Sequence, residues 1–201
     1  DHRDLHSFPT RRSSDLFQLN PWQYLVDLGH RHGVPVYPVL SDTRVTGETR
    51  FRRRTLESSR GRAAQGWAAG ADGIHLFNHF NPRDPIWNEL GDPQALKARD
   101  KLYFVTMLNG SPDKYLKGGT RLRHLPVVTP SDVCPLEAGR PSVFEVEVAE
   151  DLTQPILPRV VCHVQVLGPE PVSVSVNDVP LDDRQAAGDW LDFAEIGRAH
   201  V

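Results

Sequence analysis

Two short apolar runs, Val34-Pro-Val-Tyr-Pro-Val-Leu40 and Ile74–Phe77, stand on either side of a stretch with helical spacing. Neither run alternates strictly between apolar and polar residues. A strand with one wet face alternates, and a strand covered on both faces does not. Both runs therefore read as strands buried on two faces. Parallel strands need a long crossover between them, usually a helix. This strand–helix–strand order limits the first half of the chain more than any motif does.

The flanking residues extend the pattern. Pro21 suits the start of a first helix, with Asn20 before it as N-cap. Trp22, Leu25, Val26 and Leu28/Gly29 keep one apolar face. His30 and His32 fall near the helix end, where a cation suits the dipole, and Gly33 supplies the stop. Thr55 is placed to cap a second helix with Leu56, Ala63, Trp67 and Ala71 on one stripe, and Gly70 and Gly73 close it. Pro85–Asp100 reads as a third helical region, broken at Gly91–Pro93 and carrying Trp87, Leu90 and Leu96.

The period changes near Gly118. Val143–Val148, Val160–Val166 and Val172–Val176 alternate with period two, and Asn177-Asp178 reads as a turn into Val179-Pro-Leu181. The valines of 172–176 are expected to face a core, and Ser173 and Ser175 to face water. Short alternating runs between turns imply an antiparallel sandwich.

Lys+Arg number 23 and Asp+Glu 26, a net charge of −3. That mild acidity gives no footprint for nucleic acid or an anionic membrane. No apolar run approaches the ~18–20 residues of a membrane-spanning helix. Cys134 and Cys162 are too few for a disulfide framework and too far apart for a metal knuckle. They read as buried free thiols, with pairing in an oxidising compartment as the alternative.

The two ends carry a resemblance of another kind. Back-translated, Asp1–Leu16 resembles a short-read sequencing adapter, and Glu195–Val201 resembles the opposite adapter up to its stop codon. Both are expected to be foreign to the fold. The expected organisation is then 1–16 adapter-derived, 17–117 barrel-like, 118–194 sandwich-like and 195–201 adapter-derived. Removing the ends takes away four basic and four acidic residues, so the charge stays at −3.

Within the remainder, "GADGIHLFNHF", after "GVPVYPVLSD" and before "DKLYFV", resembles the last strands of bacterial glycoside-hydrolase-like TIM barrels. "SVSVNDVPLDD…GDWLDFA" resembles the galactose-binding-like β-sandwich that often follows such barrels. The resemblance implies the C-terminal portion of a (β/α)8 barrel followed by an incomplete antiparallel β-sandwich. It makes 34–40 about the seventh barrel strand and 74–77 the eighth. Two strands of eight leave an open edge and an uncovered apolar face, so the piece alone is expected to be neither active nor well folded.

Barrel active sites lie in the loops that follow strands. On that frame His30, His32, Asp72 and Gly73 precede strands and are expected to be structural, with Asp72 holding a turn. Asp42 follows the seventh strand, where the resemblance implies a catalytic carboxylate. Glycoside hydrolysis uses two carboxyl groups astride the bond, and the second would come from an earlier strand. A substrate-binding or loop-capping role for Asp42 stays open, and Glu48 is a weaker candidate. Arg44, with Arg50, Arg52, Arg53 and Arg54, forms either a fork for an anionic sugar or a solvated loop. Glu57 either faces substrate or serves its helix through the dipole or a bridge to Arg60 or Arg44.

Asn78 and His79 end the eighth strand, within reach of sugar hydroxyls. Trp87 either stacks on a sugar ring or packs within its helix. His75 and His79 lie ~13 Å apart if extended, too far to share a zinc, so no metal and no cofactor is expected. There is no Gly-rich phosphate loop, HExxH or Gly-x-Ser-x-Gly. The expected partner is carbohydrate, without nucleic acid or a membrane span, and the residues assign neither oligomeric state nor compartment. Two rivals remain: a barrel without its carboxylates that only binds carbohydrate, and a barrel enzyme of other chemistry.

Overall fold

The structure, a computed structural model, describes residues 22–40, 55–104, 135–144, 146–152, 159–168 and 171–194. Both adapter-like ends, Asn20-Pro21, residues 41–54, the boundary near Gly118 and Cys134 lie outside them. The chain divides into two compact units, Asp1–Ala149 and Glu150–Val201.

In the first unit the order is α1 (Trp22–Arg31), β1 (Val39–Leu40), α2 (Leu56–Ala68), β2 (His75–Leu76), α3 (Ile86–Glu89) and α4 (Pro93–Lys97). β1 and β2 pair in parallel, Val39 with His75 and Leu40 with Leu76. α2 is the crossover between them.

Both longer helices end the same way. Gly33 has φ 68° and Gly70 φ 83°. After α1, the Gly33 N–H reaches His30 O and the Val34 N–H reaches Gly29 O. After α2, the Gly70 N–H reaches Trp67 O and the Ala71 N–H reaches Gly66 O. Each glycine takes the left-handed turn that a side chain resists, and the last carbonyls are satisfied. At the other end of α2, Thr55 Oγ1 accepts from Ser58 N at 3.2 Å, with Thr55 in an extended conformation.

The run 34–40, expected as one short strand buried on both faces, is a strand only at Val39–Leu40. Outside the two paired residues the run mostly accepts: Asp72 N and His75 N donate to Val36 O and Pro38 O at 2.9–3.0 Å, and Phe77 N donates to Leu40 O at 3.0 Å. Pro35 and Pro38 have no N–H to return. Val36 and Pro38 point inward, while Val34 and Tyr37 are exposed. Nor is the second run buried on both faces, for His75 and Phe77 are exposed.

α2 is buried along most of its length, through Ser58, Ser59, Gly61, Arg62, Ala63, Ala64, Gln65 and Gly66. Ala63 and Ala64 pack with Leu40, Ile86, Leu90 and Leu96. Trp22, Val26, Val36, Ala69 and Ala71 form a second cluster at the C-terminal end of α2. The expected third helix is two short ones, and Asp92 caps the second through Gln94 N at 2.8 Å.

The expected strand 143–148 carries no strand pairing among its described residues. The buried amide of Gln65 donates to Glu147 O at 2.6 Å, and Ala149 N donates to Tyr103 Oη at 3.4 Å. This segment therefore belongs to the first unit. Its valines at 143, 146 and 148 are exposed.

The second unit has β3 (Val161–Gln165), β4 (Ser175–Val176), β5 (Val179–Pro180), β6 (Arg184–Ala187) and β7 (Trp190–Ala194). All pairing among them is antiparallel: β3–β7–β6 in one sheet and β4–β5 in a hairpin. Asn177 and Asp178 both take positive φ, 47° and 67°, the conformation a two-residue hairpin turn needs. Ser173 and Ser175 are exposed and the valines between and beside them half-buried. Phe193, opposite Cys162, is buried. Cys162 is a free thiol, and burial raises its pKa.

Candidate functional site

The chain leaves β2 through Phe77 and turns at Asn78, whose φ of 55° suits asparagine better than most residues. The loop that follows is held by its own polar groups. Asn81 Oδ1 accepts from Arg83 N at 3.1 Å, and Asp84 Oδ1 accepts from Ile86 N at 3.0 Å, opening α3. The Trp87 indole donates back across the loop to Asn81 O at 2.6 Å.

These bonds bring two expected residues together. The His79 and Trp87 rings meet edge to face, centroids 5.3 Å apart and inclined by 65°. His79 Nε2 lies 3.1 Å from Asp84 Oδ2. That nitrogen is enclosed and the carboxylate lies off its hydrogen-bonding direction. The contact is thus a close approach, not an aligned bond. Trp87 stays 47% exposed and Phe80 84%. The strand end therefore carries two accessible rings beside an amide and an imidazole. Asp84 is the carboxylate of this loop, and its other oxygen is committed to α3.

Glu57 sits exposed in the first turn of α2, as expected, and its main-chain oxygen accepts from Leu102 N at 3.0 Å. Arg60, one turn on, takes Glu89 as its bonded partner: Nε to Oε2 at 2.6 Å and Nη2 to Oε1 at 3.2 Å. The Glu89 bond raises the Arg60 pKa first, and the Glu57 charge adds to it from farther away. Asp42, Arg44, Glu48 and the arginines at 50 and 52–54 lie outside the described residues.

At the opposite end of the strands, Asp72 Oδ2 accepts from Val36 N at 2.7 Å and meets His30 Nε2 at 2.9 Å. The His30 bond, then the Val36 N–H, hold its carboxyl below the usual range. Gly73 lies against Tyr37, where an added Cβ would sit 2.9 Å from the ring. Asp72 thus ties the end of α1, the approach to β1 and the turn before β2 together.

Asp84, Asn81 and Phe80 fall within the candidate segment 78–87 that follows the second strand, but the sequence assigns none of them a role. The Asn-Pro and Asp-Pro pairs at 81–82 and 84–85 are turn signals that point to the first two. Nothing in the spacing marks Phe80. Among the described residues, no three His, Cys, Asp or Glu side chains gather as a metal site. No helix among them is long and apolar enough to cross a membrane. Comparison with protein-family models, curated proteins and solved structures found no match to the chain.

Proposed function

We propose that the chain is part of a glycoside-hydrolase-like (β/α)8 barrel with the beginning of a β-sandwich, and that the end of β2 is a carbohydrate-binding surface of that barrel. The half-exposed Trp87 ring, clamped by Asn81 O and braced by His79, carries this reading. An indole fixed in this way offers an apolar face to the C–H side of a sugar ring at little entropic cost. Asn78 and His79 supply hydrogen-bonding groups beside it. Hydrolysis, the further part of the proposal, falls to Asp42 and a second carboxylate from a strand outside this chain.

The test is binding to an array of plant, fungal and bacterial oligosaccharides, with wild type beside Trp87→Ala. An aromatic contact of roughly 0.5–1.5 kcal/mol corresponds to about two- to tenfold weaker binding in the variant. No bound glycan, or equal binding by both proteins, would overturn the reading. Asp42→Asn in the complete barrel protein is expected to abolish hydrolysis while leaving binding in place. Hydrolysis that survives it removes Asp42 from the chemistry.

A further inference from the structure

We propose that Arg60 and Glu89 are the positioning residues of the Trp87 platform: their paired side chains fix the rotation of α3, and with it the direction in which the indole faces. The proposal rests on the carbohydrate reading for its purpose, and on the packing of α2 and α3 for its mechanism.

α3 has four residues. A helix of one turn has no stability of its own, so its orientation is set from outside. α2, with thirteen residues and most of them buried, is the fixed body beside it. Two polar ties join the two helices at successive positions. Glu89 gives both carboxylate oxygens to Arg60, and Leu90 O accepts from Trp67 Nε1 at 2.8 Å. Arg60 also donates to Asp100 O at 3.3 Å, which anchors the guanidinium from a third side.

Residues two apart on a helix point about 200° apart. With Glu89 turned in to α2, Trp87 is turned out. The Arg60 and Glu89 side chains are 11% and 12% exposed while Trp87 is 47% exposed. A planar guanidinium gripping two oxygens resists twisting, whereas a single ammonium does not. The fork is therefore the part that specifies rotation, and charge alone would not.

The experiment uses the full chain labelled with 5-fluorotryptophan, the Trp87 resonance being identified by its loss in Trp87→Phe. Arg60→Lys keeps the charge and removes the fork. Glu89→Gln keeps the shape and removes the charge. Both are expected to broaden or split the Trp87 resonance at a temperature where circular dichroism shows the fold intact. Both are expected to weaken binding to the oligosaccharide array about three- to tenfold. Thr55→Ala weakens α2 without touching α3, and it should leave the resonance as it is. A sharp, unshifted Trp87 signal in Arg60→Lys overturns the proposal, as does an equal change in Thr55→Ala. Should Glu89→Gln fail to fold, Arg60→Lys decides alone. If the resonance responds while neither wild type nor Trp87→Ala binds any glycan, the positioning stands and the carbohydrate reading falls.

Discussion

Gly61 and Gly70 both belong to the α2 region, and their substitutions should cost different amounts for different reasons. A Cβ on Gly61 would sit 2.5 Å from the Leu102 carbonyl oxygen. That atom is backbone, so the chain itself has to move, at roughly 1–3 kcal/mol. At Gly70 the nearest atom would be 3.8 Å away, and the cost is the positive φ alone, ~1 kcal/mol. Urea unfolding of Gly61→Ala and Gly70→Ala should preserve that order, and the reverse order would place the close approach elsewhere. Cys162 offers a second check at this scale. Burial raises its thiol pKa, so in a Cys134→Ser background it should resist iodoacetamide until the fold is opened by denaturant. How far single residues could be read from sequence follows from the range of their contacts. Gly33, Gly70 and Thr55 act on their own helix ends, and local rules place them. Asp72 precedes a strand, which marks it as structural, but its partners His30 and Val36 lie far back in the chain. The His79–Asp84 contact depends on a loop fold that no spacing rule encodes.

The caps and ties of the helices lead to two further predictions. Thr55→Ala removes the side-chain acceptor for Ser58 N, and about 0.5–2 kcal/mol of stability should go with it in thermal or urea melts. Glu89→Gln removes one partner of a largely buried pair, and breaking such a pair costs up to about 3–5 kcal/mol. The Arg60 bond holds the Glu89 pKa below its ordinary value. Its contribution is therefore complete above the unfolded-state value of about 4.3 and is lost as pH falls through the lower folded value. A stability profile from pH 7 to 3 should lose part of its acid limb in Glu89→Gln, and an unchanged profile would deny the linkage. At this scale sequence and structure part where backbone chemistry overrides side-chain pattern. The 34–40 run is apolar enough for one buried strand, yet Pro35 and Pro38 leave only Val39–Leu40 as a strand proper. Val143–Val148 alternates as a strand should, but Glu147 O is taken by Gln65. α2 is hardest to read, because Ser58, Ser59, Arg62 and Gln65 look like surface residues and are buried.

Across the whole molecule, two units are built by different rules, and hydrogen exchange should separate them. The amides of 60–66 on buried α2 should be among the slowest in the first unit. Those of β6, an edge strand among the described residues with all four of its own exposed, should be among the fastest of the strand amides in the second. Fast exchange throughout α2 would contradict its place as the fixed body. The change of period near Gly118 made a parallel first half and an antiparallel second half legible. The structural division falls later, between Ala149 and Glu150, because 146–149 is held by long-range bonds that leave no trace in local composition. The parallel register of β1 and β2 also bears on time. β4 and β5 meet across a two-residue turn, and hairpins of that kind close in about 1–10 μs. Between Val39 and His75 in sequence lies all of α2, and the entropy of closing so long a segment comes due before the pair returns anything. The second unit can acquire its first strand pairing while the first unit is still searching. On a ribosome, β1 would wait for the whole crossover to emerge before it had a partner.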